Sequence, residues 1–377
     1  MKICILSMQR VGNFGSLLQS YALKVLLESL GHEVHFIDIE ERSEDKAVAC
    51  NNQESYQSEY EGEKSSVFLS KLSKIDKYAF NRIRIKIIEK QQQVYFEMFR
   101  SNELGIKNSD NCLHYDYCII GSDEVFNALS EARWGFTTQL FGSVKQAKNV
   151  ITYAASCGST KFEGLNYKMR EMIQNSFGRI SAFSVRDKNT ANFIQKLDIK
   201  TFSVNYDPVI TRNFENDLNS IDLQISLPKK FCIVYSYYNR IHSIDEIDSI
   251  KNFCKKNNLK IISLGAPQKW IRNYYAVTPF ELLKIFSLAE MVITDTFHGT
   301  IFASKYSKHF ATLVRESNRN KLEDLISKLH IDGHLIYSFD ELERAYAKGN
   351  EIERMNEIQI IAFNDACAYF TKNLKEN

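Results

Sequence analysis

The chain has 377 residues, of which 44% are hydrophobic and 25% charged, a globular composition that excludes a disordered or fibrous protein, and its length favours two domains. Its 48 Lys and Arg stand against 46 acids, for a net charge of +2. There is no overall field to hold a nucleic-acid polyanion, and any anion site must be local.

Lys2 to Ser7 reads as a buried first strand, followed by the loop Met8 to Gly15. A helix is expected from Ser16, which has capping-box spacing to Gln19, through Leu17, Leu18, Tyr21, Leu23, Leu26, Leu27 and Leu30 to a left-handed closing residue at Gly31. A second strand over Glu33 to Ile39 completes a β-loop-α-β unit with a glycine-containing first loop. Glu41 to Ser66 is polar and acidic and reads as a mobile loop. Val67 to Phe99 has a helical pattern in which Lys71, Lys74, Lys77, Arg82, Arg84, Lys86 and Lys90 interleave with apolar positions. Such a helix suits an anionic membrane surface, or packs on its own domain with a solvated basic face.

Short apolar runs then end in polar or glycine punctuation: Tyr117 to Ile120, Val150 to Ala155 and Ile180 to Val185. Their alternation with helical stretches predicts a parallel sheet with crossovers. After Asp207-Pro208 the irregular stretch Thr211 to Pro228 reads as a linker. A second alternating series predicts strands over 231–235, 260–264, 291–294 and 309–314, with helices near 243–257, 279–288, 298–307 and 318–329. The fold class is α/β, with Rossmann-like domains over 1–212 and 225–345, a helical insertion near 67–100, and a last helix over 351–377 crossing back to the first domain.

Eight cysteines, with no Cys-x-x-Cys pair, point to reduced, mostly buried thiols. No metal or cofactor is expected. No apolar run approaches the ~18 residues of a membrane span, and Ile3 to Leu6 is too short for a secretory signal. A cytoplasmic protein is expected.

In open parallel sheets, sites lie beyond the carboxyl ends of strands. At Met291 to Ala303 a strand runs into a helix whose first residues are His298, Gly299 and Thr300. Helix N-termini hold phosphates and carboxylates, and His298 could add charge or act as a general acid, or simply cap or pack. Arg186, in Ser184-Val185-Arg186-Asp187, suits bidentate binding of an anion, while Asp187 can cap the next helix. Asp123 and Glu124, in Gly121-Ser122-Asp123-Glu124-Val125-Phe126-Asn127, could take a proton from an attacking hydroxyl, and turn chemistry explains them as well. The loop Gly12-Asn13-Phe14-Gly15-Ser16 permits close backbone approach and is neither a Walker motif nor a dinucleotide fingerprint.

In this order, Gly12-Asn13-Phe14-Gly15, Gly121-Ser122-Asp123, Tyr153-Ala154-Ala155-Ser156, Ser184-Val185-Arg186-Asp187, Asp207-Pro208 and Asp295-Thr296-Phe297-His298-Gly299-Thr300 resemble the polysaccharide pyruvyl transferases over about residues 1 to 330. The resemblance implies a fold similar to B-type glycosyltransferases, with a central cleft between the domains and phosphoenolpyruvate as donor. It gives the second domain the donor side and the first the acceptor side. Many relatives carry Arg-Leu before the histidine where this chain has Thr296-Phe297; Arg319, Arg315 or Lys321 are the candidate replacements for the missing charge. The reaction implied is transfer of pyruvate to a sugar as a ketal, with phosphate released. Donor contacts then fall to Arg186, His298, Gly299, Thr300 and Arg319, and acceptor contacts to Asn13, Gly15, Ser122 and Asn127. His298 is the expected proton donor, and Asp123 or Glu124 the base. A lipid-linked oligosaccharide of a surface polysaccharide, at the inner membrane face, is the expected acceptor, with peripheral membrane contact through the basic helix and no nucleic-acid partner. A nucleotide-sugar glycosyltransferase of the same fold and a non-catalytic glycan- or anion-binding relative are the alternatives.

Overall fold

The computed structural model describes residues 1–53 and 72–375. In the first lobe the chain runs β1 (Lys2–Leu6), α1 (Phe14–Ser29), β2 (Glu33–Phe36), α2 (Ser43–Gln53), α3 (Leu72–Phe99), β3 (Tyr115–Asp123), β4 (Ala147–Ala155), α4 (Tyr167–Phe177), β5 (Ile180–Ala182), β6 (Ser184–Val185), α5 (Lys188–Gln195), β7 (Ser203–Val204), α6 (Pro208–Thr211) and α7 (Glu215–Asn219). The second lobe adds β8 (Phe231–Tyr235), α8 (Ile244–Lys256), β9 (Lys260–Leu264), α9 (Pro279–Leu288), β10 (Met291–Thr294), α10 (Phe297–Tyr306), β11 (Phe310–Leu313), α11 (Arg319–Leu329), β12 (Leu335–Ile336), α12 (Leu342–Lys348) and α13 (Ile352–Asn373). Two parallel sheets result. One has the order β2-β1-β3-β4-β6-β7, with β5 also on β4; the other has the order β12-β11-β10-β8-β9. This is the expected parallel α/β fold.

Register aligns the strand ends that matter. Asp123 at the end of β3 pairs with Ala155 of β4, and Ala155 with Val185 of β6, so the loops carrying Asp123, Ser156 and Arg186 leave the sheet side by side. In the second sheet Thr294 pairs with Tyr235 and with Thr312, which brings Asp295 and Ser236 out on one edge.

One apolar core runs through both lobes, from Ile3, Phe14 and Leu17 of the first to Phe286, Phe302 and Phe310 of the second. Rings join it: Phe99 and Tyr21 both meet Phe280 edge-on at 5.2 Å. Each such side chain, fully buried, contributes roughly 1.5–3 kcal/mol, so the lobes share an interior rather than a wet hinge. The helix α3 also bridges them, as Gln92 exchanges hydrogen bonds with the Val277 backbone at 2.8 and 3.1 Å. From α13, the Tyr369 hydroxyl reaches the Thr152 carbonyl in the first sheet at 2.8 Å.

Three local expectations change. The cap of α1 is Asn13, whose Oδ1 accepts from the Ser16 amide at 2.7 Å, so Gly15 and Ser16 lie inside the first turn. Gln19 instead donates to Ser7 and Ser20 in the core, because a buried amide must find partners. Within the stretch expected as a loop, 43–53 is helical; Asp45 accepts from the Thr138 amide and hydroxyl at 2.7 and 2.9 Å, anchoring it to the first lobe. Ile180 to Val185 divides into β5 and β6, with a register shift against β4. The rest of that loop and the expected helix start at Val67 to Lys71 lie outside the described residues.

Candidate functional site

Arg186 emerges directly after β6 and is 4% exposed. Its Nη1 donates to Asp207 Oδ2 at 2.8 Å and lies 3.8 Å from Asp123 Oδ1. The guanidinium sits over the Phe297 ring at 4.0 Å, a cation–π contact that fixes its plane. Burial alone would lower this group; Asp207, Asp123 and Asp187 outweigh it and keep the charge in place. The Arg186 Nε is buried without a partner.

Asp207 caps the short helix α6, accepting from the Val209 amide at 3.0 Å through Oδ1. Its Oδ2 faces Arg186, the Ser122 hydroxyl at 3.4 Å and His298 Nε2 at 3.4 Å. The Nε2 makes no hydrogen bond at that distance. Burial would raise the Asp207 carboxyl, but His298 first and then Arg186 hold it well below the ordinary carboxylate range. One carboxylate therefore joins an arginine of the first lobe to a histidine of the second.

His298 occupies the first turn of α10, capped by Thr296, whose hydroxyl accepts from the Gly299 amide at 3.0 Å. A Cβ at Gly299 would lie 2.3 Å from Thr294 Oγ1, so only glycine lets the strand turn into the helix this tightly. Across the cleft a Cβ at Gly15 would lie 2.2 Å from His298 Nδ1, which sets the contact between the starts of α1 and α10. Gly12, Asn13, Gly15, Tyr235, Ser236, Tyr237, Thr296 and His298 line a cleft of about 150 Å³ between them. Two helix N-termini face this space, an arrangement that favours an anion.

The remaining expected site residues divide. Asp123 accepts from the Ser16 hydroxyl at 2.8 Å. Glu124 pairs with Lys321 of the second lobe and accepts from Asn127 at 3.1 Å. Burial opposes its charge, yet Lys321, Arg186 and Asn127 together depress its carboxyl. Asn127 is thus spent on Glu124 and on the Thr160 hydroxyl. Ser122 is fully buried and its hydroxyl donates inward, to Ala154 and toward Asp207, so it has no surface with which to meet an acceptor. Thr300 is also buried, its hydroxyl held by the Thr296 carbonyl and Thr312. Asp187 is the cap of α5.

None of the three candidates for the missing charge touches the Arg186–Asp207–His298 cluster. Arg319 is half exposed, with Glu323 at 3.7 Å on its own helix. Arg315 binds Asp295 at 3.2 Å and Glu246 at 2.7 Å. Lys321 neutralises Glu124. Sequence reasoning missed Asp207 and Phe297 as members of the cluster. The available signal was Asp-Pro, a cap followed by proline at the first helical position.

A family model described as polysaccharide pyruvyl transferase matches residues 13–317. No curated protein matches the chain in sequence. Among solved structures it is similar to a putative UDP-N-acetylglucosamine 2-epimerase from Listeria monocytogenes, with 9% identity and a TM-score of 0.50 over 100% of this chain and 97% of that one. It also aligns with the UDP-N-acetylglucosamine 2-epimerase from Rickettsia bellii (11% identity, 99% and 98% coverage, TM-score 0.47). A spinosyn rhamnosyltransferase complexed with thymidine diphosphate aligns as well (10% identity, 99% and 100% coverage, TM-score 0.42). At 9% identity the likeness to the Listeria protein is one of fold. The chain belongs to the polysaccharide pyruvyl transferase family.

Proposed function

We propose that this member of the polysaccharide pyruvyl transferase family moves pyruvate from phosphoenolpyruvate onto a sugar of a surface-polysaccharide precursor, forming a ketal and releasing phosphate. The observation that carries the reading is the single Asp207 carboxylate shared by Arg186 and His298 beside two facing helix starts. Asp207 orients both groups, Arg186 and the helix amides meet the donor's anionic groups, and His298 delivers a proton to its methylene carbon. That protonation makes C2 electrophilic. One sugar hydroxyl adds to C2 and gives its proton to the base, the C2–O bond to phosphate breaks as that proton passes to the departing phosphate, and a second hydroxyl closes the ring, its proton returning to His298. Of the two adjacent carboxylates, Asp123 is assigned as base, since Glu124 is already neutralised by Lys321.

Mass spectrometry of glycosides and lipid-linked glycans incubated with phosphoenolpyruvate tests the reaction, the expected product carrying one pyruvate ketal with phosphate released. Consumption of a nucleotide sugar in place of phosphoenolpyruvate would replace this reading with glycosyl transfer.

A lipid-linked acceptor at a membrane surface is part of the proposal. The support is α3, which turns Gln92, Phe96 and Phe99 inward and leaves Ile83, Ile87, Val94 and Met98 exposed among Arg82, Lys86 and Lys90. Among the described residues no helix is long and apolar enough to cross a membrane.

A further inference from the structure

Arg186 and His298 share a second neighbour besides Asp207. Phe297 is the first residue of α10, directly after the cap Thr296, and its side chain is partly buried against the core that runs through both lobes. The Arg186 guanidinium of the first lobe lies over that ring at 4.0 Å. The His298 imidazole meets the same ring edge-on, at 5.3 Å and 85°, and has Phe302 stacked on it at 6.2 Å. The main chain of Arg186 is held separately, because Lys328 of α11 donates to its carbonyl. What freedom remains at Arg186 therefore lies in its side chain.

The two neighbours respond differently to an anion. Asp207 holds both groups through its charge, and an incoming carboxylate or phosphate competes for the same N–H groups. A ring does not compete. The N–H groups of a guanidinium lie in its plane, so stacking covers a face and leaves the edges for acceptors. Arg186 has such an edge donor to spare, since its Nε is buried without a partner. Cation–π contacts are also stronger when desolvated, and Arg186 is buried.

We infer that Phe297 is a positioning residue for the donor site: its ring keeps the guanidinium and the imidazole at a fixed spacing while an anionic donor competes with Asp207 for them. The guanidinium turns within its own plane, over the ring, instead of swinging away from it. An aliphatic side chain fills similar space but offers no negative face, so the role belongs to the π system rather than to bulk. The inference rests on the reading of Arg186 and His298 as donor-binding groups, and it names the residue that keeps the two in place.

NMR of the full chain with isotope-labelled arginine tests it, the Arg186 Nε–H signal being assigned from its loss in Arg186→Lys. Without donor, exchange of that proton with water should quicken about 10-fold in Phe297→Leu and keep the wild-type rate in Phe297→Tyr, which retains the ring. Titration with phosphoenolpyruvate, followed on the same signal, should give a Kd about 10-fold weaker in Phe297→Leu and unchanged in Phe297→Tyr. Phe297→Met, a second variant without a ring, should behave as Phe297→Leu does, and thermal unfolding identifies any variant whose fold is lost. An unchanged exchange rate or an unchanged Kd in the folded ringless variants, or equal losses in Phe297→Tyr, overturns the positioning role. A wild-type signal that phosphoenolpyruvate does not move removes the donor reading, and exchange quickened only in the ringless variants would still show the ring holding Arg186.

Discussion

Gly15 and His298, far apart in sequence and on opposite lobes, touch so closely that a single added methyl group on the first would stand 2.2 Å from Nδ1 of the second. Gly15→Ala should therefore push the imidazole off Asp207. Alanine improves the helix itself by about 1 kcal/mol, so melting should change little, while a displacement of this size costs about 100-fold in turnover. Phosphate release from phosphoenolpyruvate, measured beside thermal unfolding, separates the two effects. Full activity in a folded variant would show that the contact has no bearing on chemistry.

His298→Ala should abolish phosphate release from phosphoenolpyruvate in the presence of acceptor, while the fold persists, since the side chain lies on the cleft wall rather than in the core. Turnover equal to wild type would remove the imidazole from the mechanism.

Asp207→Asn keeps the shape and removes the charge that Arg186 and His298 share. Breaking a buried pair from one side typically costs about 3–5 kcal/mol. The sign of the pH effect follows from the depressed carboxyl. Its stabilisation is complete above the ordinary carboxylate range near pH 4 and is withdrawn as pH falls toward the lowered native value. Denaturant unfolding between pH 7 and pH 3 should lose stability less steeply in the variant than in wild type; parallel curves would contradict the linkage.

Lys305 is buried at the far end of α10, where its Nζ donates to the Val209 and Arg212 carbonyls at 2.9 and 2.6 Å. Desolvation, helped by Arg212 and opposed by Asp207, lowers it to about 7. A lysine lowered in the native state leaves the unfolded chain holding more protons between pH 7 and about 10.4, so stability from this group rises with pH across that window. Lys305→Met should lose the rise, and should be less stable by about 1–3 kcal/mol for each carbonyl left without a donor. Unfolding curves at pH 7 and pH 9.5 for both proteins give the comparison, and identical slopes would count against it.

Flotation with anionic liposomes checks α3. Reversal of Lys86 and Lys90 to glutamate should reduce the bound fraction, since each basic residue near such a surface contributes about 1 kcal/mol. Flotation equal to wild type would leave the exposed stripe without a membrane role.

Much of the fold was legible because the signals were local. Buried strands such as Phe231–Tyr235 and Met291–Thr294 are short apolar runs ended by polar residues, and Thr278 with Glu281 forms a capping box at the start of α9. Strand ends also carried the residues worth inspecting, and the register of β3, β4 and β6 explains why Asp123 and Arg186 meet. The cluster itself was less legible. Asp207 follows a two-residue strand and precedes a proline, so its local signal is that of a turn. Only the closing of one lobe on the other reveals that its second oxygen serves both Arg186 and His298. The same holds for Lys321: spacing along α11 cannot say that it spends its charge on Glu124. Ser122 shows the converse, since a serine beside an acidic pair reads as a ligand until its burial is known.

The helices α6 and α10 are joined twice, by Asp207 with His298 at one end and by Lys305 with the carbonyls of α6 and Arg212 at the other. A joint fixed at two separated points resists rotation as well as sliding. The seam between the lobes is thus tied at both ends of α10 rather than at one.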